Sequence, residues 1–600
     1  MTADSRKLKQ GLLLGVGMVG LLCGLWLMLV GSNPQAQAQA EPTQLPLYAL
    51  PDARLTRTVN SGTIALASDN QTVLAVNSLN DTVSFAQPLL RRVVAEVPVG
   101  RDPRSVVLTA DSERVLVTNR ADGTLSIVRF DDQVIENTIR VGLLPYGVVT
   151  DNNEIAYVTL QGAGEVAVVD LLAGTVINRI ATPPLPSGLA LWGDFLYVTH
   201  FWSGQISLIY LPRQAVVQTI ATGVDTGLSQ SIEIDITRGL AYVPQTRSNS
   251  SSPALTYDTT VFPVVNVLDL RDLAVIRPAR IGLDTADRPV NMPFATALDR
   301  FQQRLYVVNA GSNDLSVIDL INGRPLAHIA LGANPRGALL NRDNSYLFVH
   351  NMIQGAITVI NTATLSVESV LPISTPAVAL DIIQGAQFFY GAHDARMSAN
   401  DWISCANCHF DGLSDGRVWM SIDGGRNTPL LYDILGTPPY NWSATWDELA
   451  DVELKIRDLQ AGFGLIAGTV SPALGAPHAG QSPLLDTLAQ YLVTLQGPAL
   501  PPVDGALAGR GAEVFAEQGC GECHVGAVGT NLQAYDVGTG GTFDTPSLRW
   551  LALSAPYFHD GRAAALRDVF ILPGAHQLVY AIALEDIEAL LAYLLSLPQG

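Results

Sequence analysis

Basic residues are scarce in this chain. Lys and Arg number 35 against 55 Asp and Glu, a formal net charge of −20 over 600 residues. Such an excess repels phosphate backbones and no local basic patch offsets it, so nucleic acid is excluded as a partner. Charge of either sign is also sparse, 15% of residues against 48% hydrophobic, which excludes a disordered acidic polymer. At roughly 150 residues per domain the length suggests about three or four domains. Cysteine is scarcer still, with five in the chain, and their positions carry most of the functional reading.

One long apolar run, Gly11 to Val30, follows Arg6, Lys7 and Lys9 and precedes the small, polar stretch GSNPQAQAQA. This is an export signal, with a small-x-small cleavage site at Ala38-Gln39-Ala40. The run is also long enough to serve as an uncleaved membrane anchor. Cys23 lies inside it after the bulky Leu22, which suits a small buried apolar residue better than lipoprotein processing. Either way the remainder is extracytoplasmic, in the periplasm or at the cell surface.

From about Leu55 to Thr375 a strand phrase recurs: VLAVN at Val73, VLVTN at Val115, IAYVT at Ile155, FLYVT at Phe195, LAYVP at Leu240, LYVVN at Leu305 and LFVHN at Leu347. Aligned on Ala75, Val117, Val158, Val198, Val243, Val307 and Val349, the spacings are 42, 41, 40, 45, 64 and 42. Seven such units predict a seven-bladed β-propeller over residues 41–376, each blade a four-stranded sheet stable only against its neighbours. The wide spacing contains Thr246 to Tyr257, a polar insertion expected to loop out on one face of the disc. The stretch resembles the YVTN-repeat propellers, a resemblance that speaks to fold more than to function. His200 and His350 close repeated strands and are expected to be satisfied structural histidines.

The four cysteines outside the leader form two pentapeptides, Cys405-Ala406-Asn407-Cys408-His409 and Cys520-Gly521-Glu522-Cys523-His524. CxxCH is the attachment signature of c-type haem: two thiols take the vinyl groups of one haem edge and the adjoining imidazole becomes the proximal iron ligand. A thioredoxin-like pair would need one CxxC in a dedicated fold. A zinc site would require the two motifs to converge and would leave each following histidine unexplained.

Ser404 to Gly412, Arg426-Asn427-Thr428-Pro429, Thr545-Pro546-Ser547-Leu548-Arg549 and Ala555-Pro556-Tyr557-Phe558-His559-Asp560-Gly561-Arg562 resemble the di-haem cytochrome c peroxidase and MauG superfamily over about residues 380–600. The resemblance implies two α-helical cytochrome c domains, 377–496 and 508–600, joined by the Pro-rich linker 497–507. One haem would relay electrons and the other would meet peroxide. It places Asn427 as a side-chain ligand of an inter-haem calcium, with Ser554 and Pro556 giving backbone carbonyls, and Trp442 as an aromatic bridge between haems. Arg549 and His559 would line the propionate side of the second haem.

The departures bear on mechanism. The family's catalytic glutamate would fall at about Gly462, so that acid is missing. Glu453 or Asp458 could replace it, the alternative for each being a solvated place on a helix spanning Asp447 to Leu459. Behind HDGR the usual distal Met or Tyr is absent; His576 is the nearby candidate, with a surface histidine as its alternative. Met397 and Met420 suit core packing better than axial ligation, and His393 and His478 are weaker candidates. Two functions follow: a peroxidase or MauG-type oxidoreductase whose propeller docks a partner, or an electron-transfer di-haem cytochrome with both irons six-coordinate. The negative charge favours a basic docking partner such as a small cytochrome.

Overall fold

The computed structural model describes residues 51, 58–150, 152–421 and 424–597. The export segment and Cys23 lie outside them. No described helix is long and apolar enough to cross a membrane.

Seven sheets of four or more strands follow one another along the chain and form the expected seven-bladed propeller. The blades take residues 64–98, 103–140, 145–181, 186–220, 226–282, 293–330 and 335–372. The repeated phrase has a physical explanation at each of its positions. Its apolar residues are sealed between neighbouring blades, as where Leu74 and Val76 meet Val106, Val115 and Val117. Its threonine reaches the next blade: Thr118 Oγ1 donates to the Tyr146 carbonyl (2.6 Å), Thr159 to Ser187 (2.7 Å) and Thr199 to Ser229 (3.0 Å). Its asparagine turns back onto the following strand, Asn119 Nδ2 donating to Thr124 and Ser126 and Asn309 Nδ2 to Asp314 and Ser316. Buried polar groups are thus paired in the same way in successive blades.

Blades 1 and 7 are each built from their own residues, so the ring closes without a shared sheet. His350 stands where the threonine would be, and its Nδ1 lies 3.0 Å from Thr63 Oγ1. Ser84 Oγ donates to the Ile373 carbonyl at 2.8 Å, and Val73 and Ala75 pack on Phe348 and Ile357 across the same seam. His200 is buried as expected, bonded to Ser207 Oγ (2.8 Å) and to the Pro184 carbonyl (3.2 Å). The strand Thr58–Asn60 pairs with Pro186–Trp192 of blade 4, and Gly62 goes on to bond Ser105 and Val106 of blade 2. In blade 5 the insertion begins in strand, Thr246 to Ser248 helping to lengthen Leu240–Ser248 and Val261–Asp269 to nine paired residues each, and the remainder loops out as expected. The rest of its extra length includes the short helix α1 (Leu283–Ala286).

Beyond blade 7 the chain is helical and repeats one device. In the first helical module α2 (Leu380–Tyr390) leads into α3 (Ala406–His409), α4 (Val452–Asp458) and α5 (Pro483–Val493); in the second α6 (Gly505–Glu517) packs on α7 (Leu584–Ser596). Where α2 crosses α5, a Cβ on Gly385 would meet the Thr487 carbonyl oxygen at 2.1 Å; where α6 crosses α7, a Cβ on Gly511 would meet that of Ala589 at 1.9 Å. One turn on, Phe389 meets Tyr491 and Phe515 meets Tyr593, each pair with ring centres 5.3 Å apart. The glycines allow the backbones to approach and the aromatic pairs fill the crossing. Ser482 and Asp504 cap α5 and α6 through their side chains. The expected helix from Asp447 begins only at Val452, because Leu449–Asp451 forms a tighter 3₁₀ turn.

Gly385→Ala should destabilise the first helical module by about 1–3 kcal/mol through overpacking, read as a lowered melting temperature. Gly511→Ala should do the same while leaving the α2–α5 crossing intact.

Candidate haem-attachment and redox site

Each CxxCH is a single helical turn with the same internal bonds. His409 N donates to the Cys405 carbonyl at 2.9 Å, and His524 N to that of Cys520 at 3.0 Å. The turn sets both thiols and the imidazole on one side, and all four described cysteines are free of disulfides. Burial pushes the Cys405 thiol up to about 11, so it has no thiolate character for disulfide exchange. The imidazoles are held alike: His409 Nδ1 lies 3.0 Å from the Pro429 carbonyl and His524 Nδ1 2.9 Å from that of Gly529. A carbonyl only accepts, so Nδ1 carries the hydrogen and Nε2 is left as a lone-pair donor, the orientation seen in metal-binding histidines. Burial also lowers the pKa of both rings, that of His409 to about 4, which keeps them neutral.

The residues around the second turn suit a haem. A small cleft opens at His524, lined by Phe515, Leu548, Arg549, Tyr593 and Leu597. Arg549 Nε is buried there without a hydrogen-bond partner, a donor suited to a propionate carboxylate. His576 comes to the same place, its ring centre 6.4 Å from that of His524. Burial and then His524 lower its pKa, so it too is neutral.

Between the two modules, Trp442 Nε1 donates to the Asn427 carbonyl at 2.8 Å, while Asp544 N donates to the Trp442 carbonyl at 3.1 Å. The Trp442 ring stands edge-on to His559, 6.4 Å between centres, and His559 stacks on Phe543 at 3.6 Å. His559 therefore lies in an aromatic row at the junction. Asn427 reaches the same junction: its side-chain amide bonds the Pro556 carbonyl and lies 3.4 Å from that of Phe558, while its Oδ1 is buried and unpartnered. With the amide turned over, that orphaned oxygen would face the two carbonyls in place of Nδ2, an all-oxygen set that suits a hard cation such as calcium. The Ser554 hydroxyl donates to the Trp550 carbonyl at 3.0 Å, a bond that does not involve its own backbone carbonyl.

Glu453 is not the solvated helix residue or free acid that its surroundings in sequence suggest. It is fully buried, paired with Arg457 at 2.7 Å, and accepts the amides of Leu465 (2.8 Å) and Ile466 (3.2 Å). These bonds make it a fastener for the 460–466 loop, whose Gln460 Nε2 lies 4.0 Å from Cys405 Sγ. At Gly462 a Cβ would meet the Arg396 carbonyl oxygen at 2.3 Å, so no acidic side chain fits there. Met397 is buried in the core; Met420, against expectation, is 39% exposed on a surface hairpin. His393 is exposed, and His478 is buried away from both motifs' own bonds.

The propeller holds the first motif directly. Asn291 of the propeller donates from Nδ2 to Asn407 Oδ1, inside CANCH, at 2.9 Å. Two residues past His409, Asp411 takes a left-handed backbone (φ 53°) and enters a ring of propeller arginines. Arg336 Nη2 lies 3.1 Å and Arg104 Nη1 3.2 Å from its carboxylate, and the Tyr390 hydroxyl donates to it at 2.8 Å. Arg120 joins through Tyr432, donating to its hydroxyl at 2.7 Å, and that hydroxyl donates to the Asp411 carbonyl. Asp102 supplies the second carboxylate, 2.8 Å from Arg104 and 3.2 Å from Arg120. The Arg336 guanidinium also lies over Phe410, 4.6 Å from the ring centre. Burial would push the Asp411 carboxyl up, but Arg104, Arg336 and Arg120 hold it well below the ordinary range. Three strand-end arginines gave no sign of this in sequence, since their partners lie far downstream, 312 residues away for Arg120 and Tyr432.

Two regions of the chain match known proteins. Residues 46–227 match the YNCE-like beta-propeller family. The C-terminal part is homologous to cytochrome c peroxidases and MauG proteins. It is 27% identical over 273 residues to cytochrome c551 peroxidase of Pseudomonas aeruginosa, covering 36% of this chain and 77% of that protein. To cytochrome c peroxidase Ccp of Escherichia coli it is 27% identical over 276 residues, 34% of this chain and 56% of the relative. To methylamine utilization protein MauG of Methylorubrum extorquens it is 26% identical over 251 residues, 33% and 69%.

Asp411→Asn should cost about 3–5 kcal/mol in denaturant unfolding, because it leaves buried guanidinium groups uncompensated. A loss no larger than that of an exposed Asp→Asn control would mean that the charges are not coupled.

Proposed function

We propose that this protein is an exported di-haem c-type oxidoreductase that reduces peroxide, or uses it to oxidise a substrate. The observation that carries the reading is the paired CxxCH turns, each with its histidine Nδ1 tied to a backbone carbonyl and Nε2 left to bind iron. The C-terminal homology to peroxidases and MauG supports it. Cys405 and Cys408 would anchor one haem over His409, and Cys520 and Cys523 another over His524, in cytochrome c domains at 377–496 and 508–600. The bound haems supply one-electron chemistry and a site for peroxide.

The chain's own residues then divide the work. Arg549 holds the second haem's propionate. His576, whose ring centre lies 6.4 Å from that of His524, would hold the same haem with it as a pair of histidines. Such bis-histidine ligation gives a lower potential than His/Met. Trp442 and His559 offer an aromatic route between the modules, and Asn427 with the Pro556 carbonyl a calcium site that fixes their junction. The propeller leaves its outer surface for docking, and the acidic chain favours a basic partner such as a small cytochrome.

A second reading is favoured by one observation. Gly462 has no room for an acid and Glu453 is tied to Arg457 and two amides, so neither position supplies a free carboxylate to assist O–O cleavage. On that ground the protein would be an electron-transfer cytochrome with both irons six-coordinate.

Electron paramagnetic resonance of the oxidised holoprotein separates the two. A high-spin signal with peroxide consumption after reduction is the expected outcome; two low-spin signals without turnover establish the second reading. His576→Leu should convert a low-spin signal to high-spin while leaving covalent haem content, measured by mass, at two per chain.

A further inference from the structure

Glu448, Asp451 and His478 meet in the first helical module without a basic partner. Asp451 and His478 are 2% and 1% exposed. Among the described residues neither carboxylate pairs with Lys or Arg, and both face His478 alone. Glu453, two residues on, shows the contrast, since Arg457 neutralises it.

The histidine's second bond decides what the cluster needs. His478 Nε2 lies 3.0 Å from the Ser471 carbonyl, so Nε2 carries the hydrogen. Nδ1 lies 2.7 Å from Asp451 Oδ1, a hydrogen-bond distance that needs a proton or another cation between them, and 3.8 Å from Glu448 Oε1. Lone pairs converging in a buried site require a cation among them. A proton on Nδ1 would satisfy Asp451 Oδ1 but leave a net negative charge, and Asp451 Oδ2 is itself buried with no hydrogen-bond partner. Glu448 is fixed by the amides of His478 and Ala479, the latter at 3.3 Å, and its side chain is 22% exposed, which gives an ion a path in.

We propose that Glu448, Asp451 and His478 bind a divalent cation of the zinc class. One imidazole nitrogen and two carboxylates suit a borderline ion better than calcium, and a ring N–H bonded to a carbonyl is how metal-binding histidines are oriented. The ion would join the 448–451 turn to the loop that leads into α5, closing 27 residues. The site is separate from the haem turns and its test does not depend on their function.

The full-length holoprotein is stripped with a chelator, incubated with zinc and desalted, and zinc and iron are measured by mass spectrometry alongside the melting temperature. One zinc per chain with a raised melting temperature is expected, with affinity at least about tenfold weaker in H478Q and D451N at unchanged iron content. Negligible zinc in the native protein and no thermal shift would overturn the proposal and leave a proton as the occupant. Should H478Q not fold, E448Q at the solvent-facing ligand is read in its place: zinc affinity equal to the native protein's would overturn it as well.

Discussion

The rest of the structure depends on a buried contact between one carboxylate and the arginines of another fold. Asp411 leaves the first CxxCH turn in a left-handed conformation and is met by Arg104 and Arg336, with Arg120 one hydroxyl away. Neither side is stable alone in this state. A carboxylate so buried needs its guanidinium partners, and three guanidinium groups need Asp411 and Asp102. The aromatic surroundings exclude water and strengthen the attraction, with Phe410, Tyr390 and Phe294 around Arg336. Propeller and first helical module also share one apolar cluster, in which Tyr306 and Leu347 of the blades join Phe389, Phe410 and Leu488.

This arrangement makes the two helical modules unequal. The first has its CxxCH turn braced by Asn291 and its following loop by Asp411, while Glu453 fastens the 460–466 loop alongside. The second has its own smaller core of Val514, Phe570, Ile587, Leu590 and Leu594, and its histidine faces a second histidine. One local motif therefore stands in two environments, one rigid and charged on its proximal side, the other open along a cleft. Any haem held at the first turn would differ in electronic behaviour from one held at the second through the surroundings alone.

Much of this was legible in sequence where the cause is local. The blades showed because the same apolar positions recur, with a threonine in three repeats and an asparagine in four that make like bonds, and the CxxCH turns because their spacing is that of a single helical turn. Blade 5 was harder, since Pro244 stands in its phrase and its extra residues lengthen the hairpin as well as the loop. Glu453 was misjudged because its partners Leu465 and Ile466 lie outside its helix and no periodicity reports them. Arg104, Arg120 and Arg336 could not be singled out for the same reason at greater range: an arginine at a strand end is ordinarily solvated, and only the arrival of Asp411 buries these.

The ring closes without a strand shared between its first and last blades, and Asp411 bridges Arg104 of blade 2 and Arg336 of blade 7, the neighbours of blade 1 on either side. The carboxylate is therefore a clasp across the closure seam. It is also made late: it follows Arg336 by 75 residues. During synthesis the propeller emerges first, with its arginines unmatched, and waits for the segment that carries Cys405 and Cys408. Completion of the ring and presentation of the first haem-attachment turn become one event in the maturation of the chain.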